Sequence, residues 1–199
     1  LHSLRFNLNL INKTNLWKIN FKLDAELKKN LVLTGMMGVG KSTIGKNLAN
    51  RLSYTHIDID RLIEEKEGST INIIFKNKGE NYFRMLENKT TITELKKGSS
   101  VISLGGGAFL NKNIRRAVKK SSISFWLDIN LNILINRLKR SKKRPLLFKK
   151  NIGEAIGKIY FERKKIYSEA DFKVRCDKLK ISTIVGKILK IYENAWIKI

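Results

Sequence analysis

Short apolar runs alternate along the chain with longer stretches in which apolar positions recur every three or four residues. Leu31-Val32-Leu33-Thr34, His56-Ile57-Asp58, Val101 to Leu104, Ser124 to Leu127 and Phe172 to Arg175 read as strands. Ser42 to Leu52, Asp60 to Lys66, Ile71 to Lys76, Glu80 to Leu95, Leu131 to Arg140, Ile152 to Glu169 and Thr183 to Tyr192 read as helices. Strands spaced by helices predict an α/β fold with a mainly parallel sheet. No run of about 18 apolar residues occurs, so no membrane span is expected. Residues 1–29 break this rhythm: they are rich in Leu and Asn, lack Gly and carry no acid before Asp24. They are expected to form an N-terminal extension or strand packed on a domain of residues 30–199. Ser3 and Arg5 are their only serine and arginine, thin material for a transit peptide. The cytoplasm is therefore expected, with a plastid-type address left open.

The first strand runs into Gly35-Met36-Met37-Gly38-Val39-Gly40-Lys41-Ser42, which fits G-x-x-x-x-G-K-[ST]. Glycines at that spacing let successive backbone N–H groups turn toward phosphate oxygens. Lys41 would reach the β- and γ-phosphates, Ser42 would ligate Mg²⁺, and the helix that follows adds its positive end. Strand, loop and helix come in the required order, so a phosphate-binding loop is predicted. Asp58 and Asp60 fall at the C-terminal edge of the second strand, where open α/β sheets bind ligands. Two carboxylates there can serve Mg²⁺ and an acceptor hydroxyl, or Asp60 can simply cap the next helix. Arg84 and Glu87 stand at i, i+3, either as a surface ion pair or as an arginine held to grip a carboxylate. Gly105-Gly106-Gly107 directly after a strand is either a flexible turn or a close approach of backbone to ligand. Arg144 lies in a polar, basic stretch long enough for a lid, about residues 141–151.

Charge changes this picture less than its size suggests. Lys plus Arg is 41 against 17 Asp plus Glu, a formal net charge of +24. Of the basic residues 30 are Lys, beside 26 Ile and 19 Asn, the residues an AT-rich genome favours. The lysines are dispersed in pairs rather than gathered in one arm, so nucleic acid is not expected as a partner. One Cys, Cys176, and two His, His2 and His56, leave no disulfide framework and little for a His- or Cys-based metal centre.

Taken in order, these pieces resemble the shikimate kinase family. The family pattern runs GxxGxGKST, DxDxxIExxxGxxIxxIF, GExxFRxxE, GGG, RPLL and RxPLYxExA. The chain has Gly35 to Thr43, Asp58, Asp60, Ile63-Glu64, Gly68, Ile71 and Ile74-Phe75, then Gly79-Glu80, Phe83-Arg84, Glu87, Gly105 to Gly107 and Arg144 to Leu147. The resemblance covers about residues 30–190. It implies a three-layer α/β/α fold of the P-loop NTPase type, with a five-stranded parallel sheet and a mobile lid. It implies transfer of a phosphoryl group from ATP, with Mg²⁺, to the 3-hydroxyl of shikimate, by a monomer without membrane attachment. Lys41, Asp60 and Arg144 would be catalytic. Gly38, Val39, Gly40, Lys41, Ser42, Thr43, Arg137 and Arg144 would bind ATP, with Arg137 stacking on adenine. Asp60, Arg84, Glu87, Gly105, Gly106, Gly107 and Arg163 would bind shikimate, with Ser42 and, through water, Asp58 serving the metal. The chain departs from the pattern at Lys165 and Ile166, where the family has Pro and Leu. His56 replaces an aromatic or apolar residue and is read as a packed histidine.

Overall fold

The five strands are β1 (Asn30–Thr34), β2 (Thr55–Asp58), β3 (Ser100–Ser103), β4 (Ser122–Asp128) and β5 (Phe172–Arg175). They form one sheet in the order β2-β3-β1-β4-β5, with every neighbouring pair parallel. Every residue of β1, β3 and β4 is buried. A parallel sheet covered by helices on both faces demands this continuous apolar run in place of alternation. The edge strands β2 and β5 are partly exposed, as their position requires. The helices are α1 (Lys41–Leu52), α2 (Ile59–Glu67), α3 (Ile71–Leu95), α4 (Lys112–Ser121), α5 (Leu131–Lys139), α6 (Ile152–Tyr167) and α7 (Ile181–Trp196). This computed structural model describes residues 29–140 and 152–196. The expected extension, save its last residue, and the expected lid with Arg144 lie outside the described residues.

The expected α/β fold with a five-stranded parallel sheet is the observed one, with most boundaries within about two residues. Two segments differ more. The sequence predicts separate helices before and after residue 79, whereas α3 runs from Ile71 to Leu95 with Gly79 at φ 79°, ψ 171°. That conformation is essentially open to glycine alone, so two helical segments meet at a corner. Helix α4 has no counterpart in the expected pattern. Its buried residues are Ile114 and Val118 alone, and cations fill most other positions. Asn111 starts it, accepting from Asn113 N at 2.8 Å.

Buried polar groups fix the sheet laterally. Asn30 donates to the Leu95 carbonyl at 2.7 Å and accepts from Ser100 N at 3.1 Å. Asp128, at the end of β4, accepts from Tyr160 Oη at 3.0 Å and pairs with Lys173 at 3.0 Å and Arg175 at 3.3 Å. Those bonds tie α6 and β5 to β4 and satisfy a carboxylate that is 1% exposed. All strands point their C-terminal ends at one edge. β1 runs into Gly35, β2 ends at Asp58 and β3 runs on to Leu104 and the three glycines.

Candidate active site

After Thr34 the chain turns through Gly35, Gly38 and Gly40, whose φ values are 131°, 79° and 105°. The turn is also tight: a Cβ on Gly35 would lie 2.6 Å from the Leu127 carbonyl oxygen, and one on Gly38 2.7 Å from Leu138 Cδ2. The loop is thus pressed onto β4 and α5, and the first N–H groups of α1, unpaired within the helix, open onto it. Lys41 Nζ donates to the carbonyls of Gly35 at 2.8 Å and Met36 at 3.0 Å. Val39 is buried, and its carbonyl accepts from Arg137 at 3.5 Å. Arg137 therefore stands where α5 meets the loop.

Ser42 Oγ donates to Asp58 Oδ2. Asp58 is also the N-cap of α2, accepting from Arg61 N at 3.3 Å. The capping role that the sequence left open for Asp60 thus belongs to Asp58. Asp60 sits in the first turn of α2 with its carboxylate toward the glycine turn. A Cβ on Gly105 would lie 2.5 Å from Asp60 Oδ1 and 2.6 Å from Glu87 Oε1. The absent side chain is what lets two carboxylates from α2 and α3 approach the same backbone.

Glu87 is 1% exposed, which separates its pair with Arg84 from an ordinary surface ion pair. Oε2 accepts from Arg84 Nη1 at 2.8 Å, and Arg84 also reaches Glu80 at 3.0 Å. Oε1 is buried and has no hydrogen-bond partner among the described residues. Burial pushes the Glu87 carboxyl above the usual carboxylate range; Arg84 opposes the rise and Asp60 adds to it. A carboxyl that holds its proton more tightly when folded stabilises below its unfolded pKa, and that stability is lost as pH rises through the folded pKa. Replacing Glu87 with Gln is therefore expected to flatten the decline of thermal stability as pH rises through and above the usual carboxylate range. Melting curves across that range check it; an identical slope in both proteins contradicts the assignment.

The glycine turn is packed, not loose. A Cβ on Gly107 would lie 2.7 Å from Arg84 Nη1, so the guanidinium rests on bare backbone. Arg163, from α6, donates to the Gly106 carbonyl at 2.9 Å, and the buried Tyr167 hydroxyl donates to the same oxygen. His56 is half-buried, with Nε2 3.1 Å from Ser103 Oγ, and burial lowers its pKa. Cys176 is fully buried and its thiol is pushed up to about 12 by burial, which makes it a poor nucleophile.

The phosphate loop, the carboxylates and the two arginines surround one cleft of about 400 Å³, which His56 and Cys176 do not line. Of the residues singled out in the sequence, Gly38, Gly40, Lys41, Ser42, Thr43, Asp58, Asp60, Arg84, Glu87, Gly106, Gly107 and Arg163 line it. Gly105 abuts its carboxylates, while Val39 and Arg137 stand behind the loop. Met37, Ile71, Phe83 and Leu104 complete the walls. Ile71 and Phe83 fall at named positions of the family pattern, whereas Met37 and Leu104 do not. Tyr167, four residues after Arg163, matches the Tyr of the family's RxPLYxExA pattern, but nothing in the sequence assigns it a role.

A phosphate chain seated on the loop would end within the same cleft as two carboxylates and two arginines. Fold and cleft together define a phosphotransferase of the P-loop class. Comparison with known proteins narrows this. The Shikimate kinase family model matches residues 37–193. A shikimate kinase of Sulfurihydrogenibium sp. is 45% identical over 161 residues, covering 81% of this chain and 96% of that one. The structure of shikimate kinase from Acinetobacter baumannii in complex with shikimate superposes with a TM-score of 0.81 at 29% identity, over 88% of this chain and 98% of that one. Shikimate kinase from Aquifex aeolicus does so with a TM-score of 0.73 at 35% identity, over 83% and 97%. The chain belongs to the shikimate kinase family.

Proposed function

We propose that the chain transfers the γ-phosphoryl group of ATP to the 3-hydroxyl of shikimate, a step of aromatic amino acid biosynthesis. One observation carries the reading: the buried Glu87 holds Arg84 at a cleft that Arg163 also lines, beside a phosphate loop. Two guanidinium groups at one cleft suit a planar carboxylate, which shikimate has and simple sugars lack.

Each residue then has a task. Lys41 neutralises the β- and γ-phosphates, and Arg137 stacks on the adenine. Arg144 meets the phosphates from the expected lid, a role assigned on its motif alone. Arg84 and Arg163 bind the carboxylate, and Gly105 to Gly107 present backbone to the ring. Asp60 accepts the proton of the attacking hydroxyl. The new bond joins that oxygen to the γ-phosphorus, the bond to the β-bridging oxygen breaks, and ADP leaves. A hydroxyl and a carboxylate, Ser42 and Asp58, are the hard oxygen donors that suit Mg²⁺ with water between. Bound there with ATP, the ion would supply charge neutralisation at the phosphates. Catalysis by this chain is otherwise positioning and electrostatics.

Among the described residues no helix is long and apolar enough to cross a membrane. We assign the activity to a cytoplasmic monomer, with residues 30–199 as the kinase domain. Calorimetric titration without nucleotide tests the carboxylate reading. Shikimate is expected to bind, and its methyl ester at least about tenfold more weakly, because an ester cannot accept two charge-assisted forks. Equal affinity for acid and ester would overturn the clamp.

A further inference from the structure

Arg163 and Tyr167 stand at i, i+4 on α6, on one face of the helix, and both donate to the Gly106 carbonyl oxygen. The Arg163 bond is 2.9 Å long. Tyr167 is 0% exposed, its ring lies against Trp126 with centroids 6.1 Å apart, and its hydroxyl also reaches Met36 Sδ at 3.8 Å. Burial raises the pKa of this phenol, so the hydroxyl keeps its proton and remains a donor. One acceptor thus serves two donors, and Arg163 also bonds the Tyr167 hydroxyl. The tyrosine is locked by its packing, whereas the arginine side chain reaches into the cleft.

A carboxylate arriving in the cleft asks Arg163 to redirect an N–H that is engaged by Gly106. Releasing it would strip a part-buried carbonyl of its bond if the arginine were the sole donor, a cost that weakens binding by about tenfold or more. We propose that Tyr167 is a positioning residue: its hydroxyl keeps the Gly106 carbonyl bonded while Arg163 leaves it for the substrate carboxylate. The glycine turn then holds its shape in both states, and freeing the arginine costs little. The inference rests on the assignment of Arg163 to the carboxylate.

The test is steady-state kinetics for the full chain and for Tyr167→Phe, Arg163→Ala and the double variant, with melting curves for each. Phe keeps the ring and removes only the hydroxyl. Tyr167→Phe is expected to raise the shikimate KM about tenfold and to change the ATP KM less than about twofold. In the Arg163→Ala background the same change is expected to add less than about twofold, because no arginine remains to be released. Para-aminophenylalanine at position 167 restores a donor and is expected to restore the KM, which a loss of folding would not allow. An unchanged shikimate KM in Tyr167→Phe overturns the proposal. So does an equal rise in both backgrounds, which would make Tyr167 a structural support only. If Arg163→Ala itself leaves the shikimate KM unchanged, the carboxylate clamp fails first, and the proposal falls with it.

Discussion

Lys41→Ala lowers kcat for shikimate phosphorylation by about a thousandfold or more, with the shikimate KM changed less than about threefold. The expectation follows from where the ammonium already is. It is largely buried and held at the loop by the Gly35 and Met36 carbonyls at 2.8 and 3.0 Å, so its charge is already placed at the phosphate loop. A preformed positive charge in a partly dry site stabilises charge that develops in the transition state far better than water does. Lys41→Arg is expected to fail almost as badly, since a planar fork does not fit a pocket shaped for a point charge. Initial rates at saturating ATP check both variants. Activity within about tenfold of the parent would remove Lys41 from the chemistry.

The second large effect is at Arg84. Arg84→Ala is expected to raise the shikimate KM about a hundredfold, with the ATP KM within about twofold, the loss expected when one partner of a desolvated charge pair is deleted. The same change should cost stability, because Glu87 is 1% exposed and Arg84 pairs with it at 2.8 Å. Without the arginine, the opposition to the upward shift of Glu87 is lost and its pKa rises further. The variant should therefore lose most stability as pH rises above the usual carboxylate range, and least below it. Melting curves beside the kinetics separate this from a general folding defect. Parallel rises in both KM values would contradict the assignment.

What could be read from the sequence and what could not have different physical origins. The phosphate loop was legible because backbone geometry dictates its glycines: positions 35, 38 and 40 all adopt positive φ. The corner at Gly79 was legible for the same reason, as a break between two helical periods. Strands β1, β3 and β4 showed as short continuous apolar runs because both of their faces are covered. Helix α4 escaped the reading although Ile114, Ala117 and Val118 form an apolar stripe at helical spacing, because cations fill most of its other positions.

Within the cleft, side-chain type was legible and partnership was not. The sequence offers Asp60 as the cap of the next helix, and only the turn geometry gives that role to Asp58. Glu87 reads either as a surface partner of Arg84 or as the residue that holds it for a ligand, until the burial of α3 against the glycine turn separates the two. The shared Gly106 carbonyl involves backbone, which carries no residue code at all. Family resemblance supplied the residue roles; the structure supplies the distances that make those roles testable.

The central claim is that phosphate loop and carboxylate clamp act on one substrate pair in one cleft. ADP release from ATP in the presence of Mg²⁺, measured with and without shikimate at near-physiological salt, tests it most directly. ADP is expected to form with shikimate, mole for mole with a shikimate phosphate, and only at a low background rate without it. ADP release that appears with gluconate or a nucleoside monophosphate and not with shikimate would contradict it.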